Sequence, residues 1–334
     1  MSEDQNPVSQ QEFLEIVQRI KTTQQKAFTQ ANTLLIELYW DIGQLVSEKV
    51  SSQSWGKGVV SQLAVYIKKT APDIKGFSDK NLWRMKQFYE TYKDNEKLSA
   101  LTRELPWTHN TIIFSRCKTE EEREYYLSLC RKDGYSSREL DRQIDSCQFE
   151  RAALSNQKLS AVLRELHPLA NNSFKDNYVL EFLGLPEEHS ERKLQTALVA
   201  KMKQFILELG KDFIFIAKEY RLQVGNQDFY IDLLFFHRGL SALVAFELKV
   251  EKFSPEHLGQ LNFYLEALDR DVKMPHENPS IGVLLCKDKD DEVVEYALSR
   301  SLSPTLVAQY QSQLPDKKIL QRKLSELLDG SSEE

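Results

Sequence analysis

The stretch Ser241–Val250, SALVAFELKV, decides how the second half of the chain reads. From Ala242 to Phe246 every residue is apolar, the pattern of a strand buried on both faces. Glu247 and Lys249 then interrupt the run. Strand side chains alternate between faces, so these two charges project to the same side. An isolated buried charge costs several kcal/mol, so both need a partner. The preceding apolar run, FYIDLLFFHR, holds a single acid, Asp232, flanked by Ile231 and Leu233. If the two runs pair as a hairpin, Asp232 and Glu247 converge at one end of a sheet.

Two kinds of partner satisfy such a set: an internal ion pair to Lys249, or a divalent cation. Mg²⁺ takes one or two carboxylates and completes its shell with water and phosphate oxygens. Asp232 and Glu247, with the backbone carbonyl of Leu248 between the charged positions, are therefore candidate ligands for Mg²⁺ or Mn²⁺. A metal held there would polarise a phosphodiester and acidify a bound water. Lys249 would orient that water or stabilise the developing negative charge. Glu191 opens the helix before the strands, where a carboxylate also suits the positive helix end. Gln260 follows in the helix segment HLGQLNFY, and Asn262 and Tyr264 beside it are candidate nucleic-acid contacts. The plainer alternative is a structural ion pair at a sheet edge, with Glu191 an ordinary first-turn acid and Gln260 a surface amide. Asp228 reads as a turn residue after GNQ, and His237 and His257 read as surface residues.

Outward from this centre, SERKLQTALVAKMKQFILELG is a single amphipathic helix with Ser190 as N-cap and Gly210 as stop signal. FIFIAKEYRLQV, FYIDLLFFHR and SALVAFELKV follow as strands, with turns at Gly225–Gln227 and Arg238–Gly239. SPEHLGQLNFYLEAL is a helix with Pro255 at its first position, SIGVLLCK a buried strand, and DEVVEYALSRSL a helix. Helices and strands in this order make an α/β domain with a mixed sheet.

The first half is helical throughout. QEFLEIVQRIKTTQQKAFTQANTLLIELYWDIGQLVSEKV places Phe13, Ile16, Val17 and Ile20, then Leu34, Leu35, Leu38, Ile42, Leu45 and Val46, at three- and four-residue steps. Tyr39 and Trp40 are expected to pack in the helical core. Pro72 and Gly76 stop a helix over residues 59–69, and Ser78 restarts one that buries Leu82, Met85, Phe88 and Tyr89. Between Trp55 and Lys93 eight Lys/Arg face three acids, so the segment is basic despite a chain net charge of -6. Lys57, Lys68, Lys69, Lys80, Trp83, Arg84 and Lys86 in that stretch are candidate nucleic-acid contacts, cations for phosphates and an aromatic for stacking. Short helices with tight turns suit a helix-turn-helix-like module, and equally a plain bundle.

With 334 residues, 41% hydrophobic and 28% charged, the chain has the length of two globular domains. There is no apolar run long enough for a membrane span, and the polar, acidic start lacks the regions of a secretion signal. Cys117, Cys130, Cys147 and Cys286 are scattered, as free thiols in a reducing compartment are, so a cytoplasmic protein is expected.

Asp232, then Glu247-x-Lys249, preceded by a helical Glu191 and followed by a helical Gln260, resembles the PD-(D/E)XK nuclease superfamily. The segments FYIDLLFFHRGLSALVAFELKV, GQLNFYLEALD and NPSIGVLLCK, with YWDIGQLV, WGKGVV and FSDKNLWRMKQFY upstream, are similar to the YhcG-like family of bacterial proteins, over about residues 12–310. The resemblance implies a helical, helix-turn-helix-like DNA-binding domain followed by a restriction-endonuclease-like α/β domain with a central mixed sheet. It implies Asp232 and Glu247 as metal ligands, Lys249 as catalytic, Glu191 as an auxiliary acid and Gln260 as an active-site helper. Two departures stand out: Ile231 occupies the proline position of the superfamily name, and Gln195 stands where a second helical acid is expected.

The expected organisation is a helical domain over 10–150, a connector over 151–176, a nuclease-like domain over 177–312, and a terminal helix with a polar tail over 313–334. The expected function is Mg²⁺- or Mn²⁺-dependent hydrolysis of phosphodiester bonds in nucleic acid, DNA before RNA, by a homo-oligomer. A second reading is a nucleic-acid-binding or assembly module with weak or no turnover. A third is a nuclease subunit active only with protein partners of a larger defence or mobile-element complex.

Overall fold

A computed structural model describes residues 10–52, 55 and 57–330, with side chains for all of these but 10, 57 and 328–330. The chain divides into two compact units between Asp141 and Arg142.

The first unit is helical: α1 (Gln10–Ser51), α2 (Lys57–Thr70), α3 (Asp79–Tyr92), α4 (Glu96–Thr102), α5 (Trp107–Arg116), α6 (Glu120–Asp133) and the start of α7 (Ser137–Asp145). α3 begins where expected. The Ser78 hydroxyl accepts the Asn81 N–H, and Gly76 takes the positive φ of 99° that lets the chain turn into it. α3 buries Leu82, Met85, Phe88 and Tyr92 against the second half of α1, where Ile36, Tyr39 and Val46 are buried. Gly43 sits at the closest approach: a Cβ there would lie 2.2 Å from the Met85 carbonyl oxygen. Tyr39, Trp40, Phe88 and Trp107 form an edge-to-face aromatic cluster, the core position expected for Tyr39 and Trp40. The apolar series read along α1 is mostly not part of this core. Phe13, Ile16, Val17, Ile20, Leu34, Leu35, Leu38 and Leu45 are all exposed.

The second unit continues with α8 (Gln148–Ala153), α9 (Ala161–Leu166), β1 (Asn177–Val179), α10 (Glu191–Ala200), α11 (Met202–Leu209), β2 (Phe213–Val224), β3 (Gln227–His237), β4 (Ala242–Lys252), α12 (His257–Asp271), β5 (Asn278–Asp288), α13 (Asp291–Ser299), β6 (Thr305–Gln311) and α14 (Lys317–Gly330). Among the described residues the sheet has six strands in the order β1-β6-β5-β4-β3-β2. β2, β3 and β4 are antiparallel, and β4, β5, β6 and β1 are parallel. β4 is thus central, which is why its first seven residues are all buried.

Strand alternation sorts the core into two layers. Leu233, Phe235, Val244, Phe246 and Leu248 pack beneath α9, α10 and α11. Leu234, Leu243 and Ala245 pack beneath α12 and α13. The fold is the expected helical region plus α/β unit with a mixed sheet.

Three details differ from the sequence reading. The helix expected over residues 190–210 breaks at Lys201, so that α10 packs on β4 while α11 packs on β1 and β2. β6, TLVAQYQ, was not anticipated; it pairs with β5 and is buried despite two glutamines. Residues 151–176, expected as a connector, contribute Leu159, Leu163, Ala170 and Phe174 to the core.

Candidate active site

The β3–β4 ladder runs from the pair His237–Ala242 to the pair Leu233–Phe246 and then stops. The next positions in register are Asp232 and Glu247, which face each other where the two strands part. The Leu248 N–H, instead of extending the ladder, donates to Asp232 Oδ2 at 2.9 Å. In an extended strand the N–H and C=O of one residue point to the same edge, so the Leu248 carbonyl faces the same opening. Glu247 and Lys249 share strand parity with Leu243 and Ala245, which places them on the α12 side of the sheet.

Glu247 is 4% exposed. Its Oε1 accepts from Lys249 Nζ at 3.0 Å, and its Oε2 is buried with no hydrogen-bond partner among the described residues. Burial, reinforced by the neighbouring Asp232 charge, pushes its pKa up to about 7. Burial also raises Asp232, against the pull of the Leu248 N–H and of Lys249. Lys249 lies 3.7 Å from Glu191 Oε1. Burial works against its charge, but Glu247, Glu191 and Asp232 outweigh that and raise its pKa, so it stands as an ammonium donor. Glu191 is the first residue of α10, set there by the Ser190 cap.

Gln195, one turn further along α10, donates from its amide to the Asp232 carbonyl at 3.2 Å and to Asp232 Oδ1 at 3.4 Å. The departure noted in the sequence therefore falls at the site and holds the Asp232 side chain. From the other face, α12 carries Gln260, whose amide donates to the Tyr264 hydroxyl. Tyr264, expected on a nucleic-acid surface, is 2% exposed. Burial first, then the charges of Glu247 and Asp232, raise its pKa, so its hydroxyl lies within the electrostatic field of the carboxylates. Asn262 is half-buried, with Oδ1 lacking a partner among the described residues.

Glu219 was missed by the sequence reading. The β2–β3 register pairs Lys218 with Leu233 and Tyr220 with Ile231, which puts Glu219 opposite Asp232. Its φ of 48° is unusual for a non-glycine residue, and its charge adds to the upward shift of Asp232. Counting back from the Gly225–Asn226 turn would have found it. His237, expected at the surface, is 3% exposed. It accepts the Leu240 N–H and packs on Phe213. Asp228 pairs with Arg221 at the hairpin end, and His257 with Glu251.

The residues present fit a hard divalent cation. Glu247 offers a buried, unpartnered carboxylate oxygen, and Asp232 and the Leu248 carbonyl face the same gap. Among the described residues no group of three or more His, Cys, Asp or Glu is placed to hold a metal. A two-carboxylate set with water and phosphate completing the shell suits Mg²⁺ or Mn²⁺, whereas zinc prefers a nitrogen- and sulfur-rich cage.

In the helical unit, Lys68 and Lys69 are exposed in the last turn of α2. Lys80 and Arg84 are exposed one turn apart on α3, which packs against α2. Trp83 is half-buried. Lys86 is engaged with Glu90 at 2.6 Å, which also takes the Ser47 hydroxyl. The side chain of Lys57 lies outside the described residues.

Residues 171–325 match the family model described as the YhcG PDDEXK nuclease domain, and residues 15–151 match the DUF1016 N-terminal domain. The class is a nuclease-superfamily domain behind a helical one. The chain is 32% identical over 343 residues to the protein described as "Putative nuclease YhcG" of Escherichia coli (strain K12), across 91% of this chain and 90% of that one. The chain belongs to the YhcG family. Among solved structures, a repair endonuclease from Pyrococcus abyssi is 16% identical across 39% of this chain and 50% of its own, with a TM-score of 0.26. The structure of an EndoMS–dsDNA2 complex is 17% identical across 36% and 45%, with a TM-score of 0.23. No described helix is long and apolar enough to cross a membrane.

Proposed function

We propose that this chain is a metal-dependent nuclease hydrolysing phosphodiester bonds of DNA. The observation that carries the reading is the Glu247 Oε2 atom: a buried carboxylate oxygen with no hydrogen-bond partner among the described residues, on the residue that stands opposite Asp232 where β3 and β4 part. Such an oxygen is unfavourable in a merely structural ion pair, since its desolvation goes uncompensated.

Asp232, Glu247 and the Leu248 carbonyl would hold Mg²⁺ or Mn²⁺. When bound, the ion supplies Lewis-acid polarisation of a phosphoryl oxygen and a more acidic water. Gln195 and the Leu248 N–H fix the Asp232 carboxylate. Lys249, protonated and aimed by Glu247 and Glu191, donates to the negative charge that grows on the phosphate oxygens during attack. Gln260 positions the Tyr264 hydroxyl on the α12 side of the carboxylates. Lys68, Lys69, Lys80 and Arg84 give the helical unit cations for phosphate contacts independent of sequence.

The test is cleavage of duplex, branched and single-stranded DNA and of RNA, with Mg²⁺, Mn²⁺ or EDTA, alongside calorimetric Mn²⁺ binding. Asp232→Ala is expected to lose cleavage by at least about 100-fold and to lose Mn²⁺ binding as well. Lys249→Ala is expected to lose cleavage to a similar degree but to keep Mn²⁺ binding. Mn²⁺ binding indifferent to Asp232→Ala, with no cleavage of any substrate, would sink the proposal in favour of a binding module. Gln195 at the helical acid position is the observation that favours that second reading. Cleavage of RNA alone would keep the site and change the substrate.

A further inference from the structure

The apolar series along α1 has no role in the proposed chemistry, and the first unit leaves it uncovered. Phe13, Val17 and Ile20 continue, on a register of alternating four- and three-residue steps whose polar positions are Gln24 and Asp41, through Ala27 and Ala31 to Leu34, Leu38 and Leu45. That spacing is the a/d seam of a coiled coil. At about 100° per residue the seam lies on the side of α1 opposite Ile36 and Gly43, which pack on α3. Residues 11–31 are exposed on every side. A helical arm of that length, with no Ala-rich sequence and no tertiary packing, is marginal in water. Its helix therefore needs a partner along the seam.

We infer that α1 is a self-association arm that pairs antiparallel with α1 of a second copy. Three observations choose a second copy. First, the exposed area suffices. Six large seam side chains between Phe13 and Leu45, with Leu14, Ile16, Phe28 and Leu35 flanking the seam, are 39–74% exposed. At roughly 60–90 Å² each they offer on the order of 700 Å² per copy, against the ~800 Å² per partner of a standard interface.

Second, the seam complements itself. About a twofold axis beside Thr29, Phe13 of one copy meets Leu45 of the other, Ile20 meets Leu38, and Ala27 meets Ala31, so the small residues lie at the centre where the backbones approach. Third, the antiparallel sense avoids a like-charge contact. A parallel, in-register pair would set Asp41 of one copy against Asp41 of the other, whereas the antiparallel pair sets it against Val17. The unsupported half of each α1 then lies along the half that α3 holds rigid in the other copy. This inference does not depend on the nuclease reading.

The experiment is sedimentation velocity of the full chain over a roughly hundredfold concentration range, where mass action separates monomer from dimer. Wild type is expected to form a dimer. Ile20→Glu and Leu38→Glu together are expected to weaken it by at least about 100-fold, with a loss of helix signal as the freed arms fray. Phe13 is 57% exposed and outside the buried core of the described residues, so Phe13→Glu alone tests the seam without endangering the fold.

Orientation is read from disulfide formation after mixing Ala27→Cys chains with Ala31→Cys chains, since the native cysteines Cys117, Cys130, Cys147 and Cys286 are all buried. Cross-linking of the mixture but not of Ala27→Cys alone is expected. Cross-linking of Ala27→Cys to itself would overturn the antiparallel pairing. A dimer indifferent to all three seam substitutions would overturn the inference. So would a wild-type monomer, whether its arm is protected from hydrogen exchange by the rest of its own chain or left open for an unrelated protein.

Discussion

Glu247 is a buried carboxyl group whose charged form contributes poorly to stability. Its pKa is raised from 4.5 to about 7, chiefly by burial. Between those values the folded chain holds a proton that the unfolded chain has released, so stability falls as pH rises through this window. Without metal, the chain is expected to lose up to about 3 kcal/mol between pH 5 and pH 8 from this group, the free-energy equivalent of the shift. Glu247→Gln is expected to remove most of that pH dependence in EDTA and to be no less heat-stable than wild type at pH 8. Thermal melts of the two proteins at both pH values check it; a wild type that gains stability over wild-type pH 5 values at pH 8, relative to the variant, would refute the assignment. The acid–x–lysine pair was legible in the sequence because charges on a core strand are anomalous by their cost. The buried state of Tyr264 and the position of Glu219 were not read. The first depends on which face of α12 meets the sheet, and the second on a strand register counted from a turn.

The elements that carry the site were legible where one period dominated. β3, β4 and β5 are long apolar runs, and α12 is announced by Ser254 and Pro255 just before its start. β6 was not legible, since TLVAQYQ is short and half polar, and its burial comes from lying between β5 and β1. The break at Lys201 was equally hidden, because the apolar period continues across it and the two halves differ only in the strands they pack on. In the helical unit, the α1–α3 contact turns on one residue. Gly43→Ala would bring a methyl group to 2.2 Å from the Met85 carbonyl oxygen, a rigid backbone atom. The helices must separate, and a loss of about 2–3 kcal/mol is expected, the upper part of the overpacking range. Chemical denaturation followed by the Trp107 and Trp40 fluorescence checks it, and an unchanged midpoint would show that the helices separate without loss.

Segments far apart in sequence meet at Glu208, whose side chain is fully buried on α11. Arg142 lies 2.6 Å from it, Lys175 3.3 Å and Arg151 3.5 Å, and the Val179 N–H donates to it at 3.1 Å. Burial alone would raise its pKa, but the three cations outweigh that and hold it at about 2. Lys175 is lowered to about 8 by burial and by the other two cations. The cluster ties α7, α8 and the lead into β1 to α11, beneath the sheet that carries the candidate site. Glu208→Gln would remove the carboxylate shared by Lys175, Arg151 and Arg142, of which Arg142 keeps Glu181 at 3.2 Å, and a loss of about 3 kcal/mol near neutral pH is expected. The wild-type advantage is fully present above pH 4.5 and fades as pH falls towards 2, so the melting temperatures of the two proteins are expected to converge in acid.

The sequence by itself determined the helical region followed by a mixed α/β sheet, and it singled out Asp232, Glu247 and Lys249, which the structure places together where β3 and β4 part. Those follow from local period and from the cost of placing charge on a core strand. Only the tertiary structure decided that the supposed connector is core, that Tyr264 and His237 are buried, that Gln195 and Glu219 flank Asp232, and that the apolar series of α1 is left bare. Each of these depends on what packs against a residue from elsewhere in the chain, and local pattern carries no record of that.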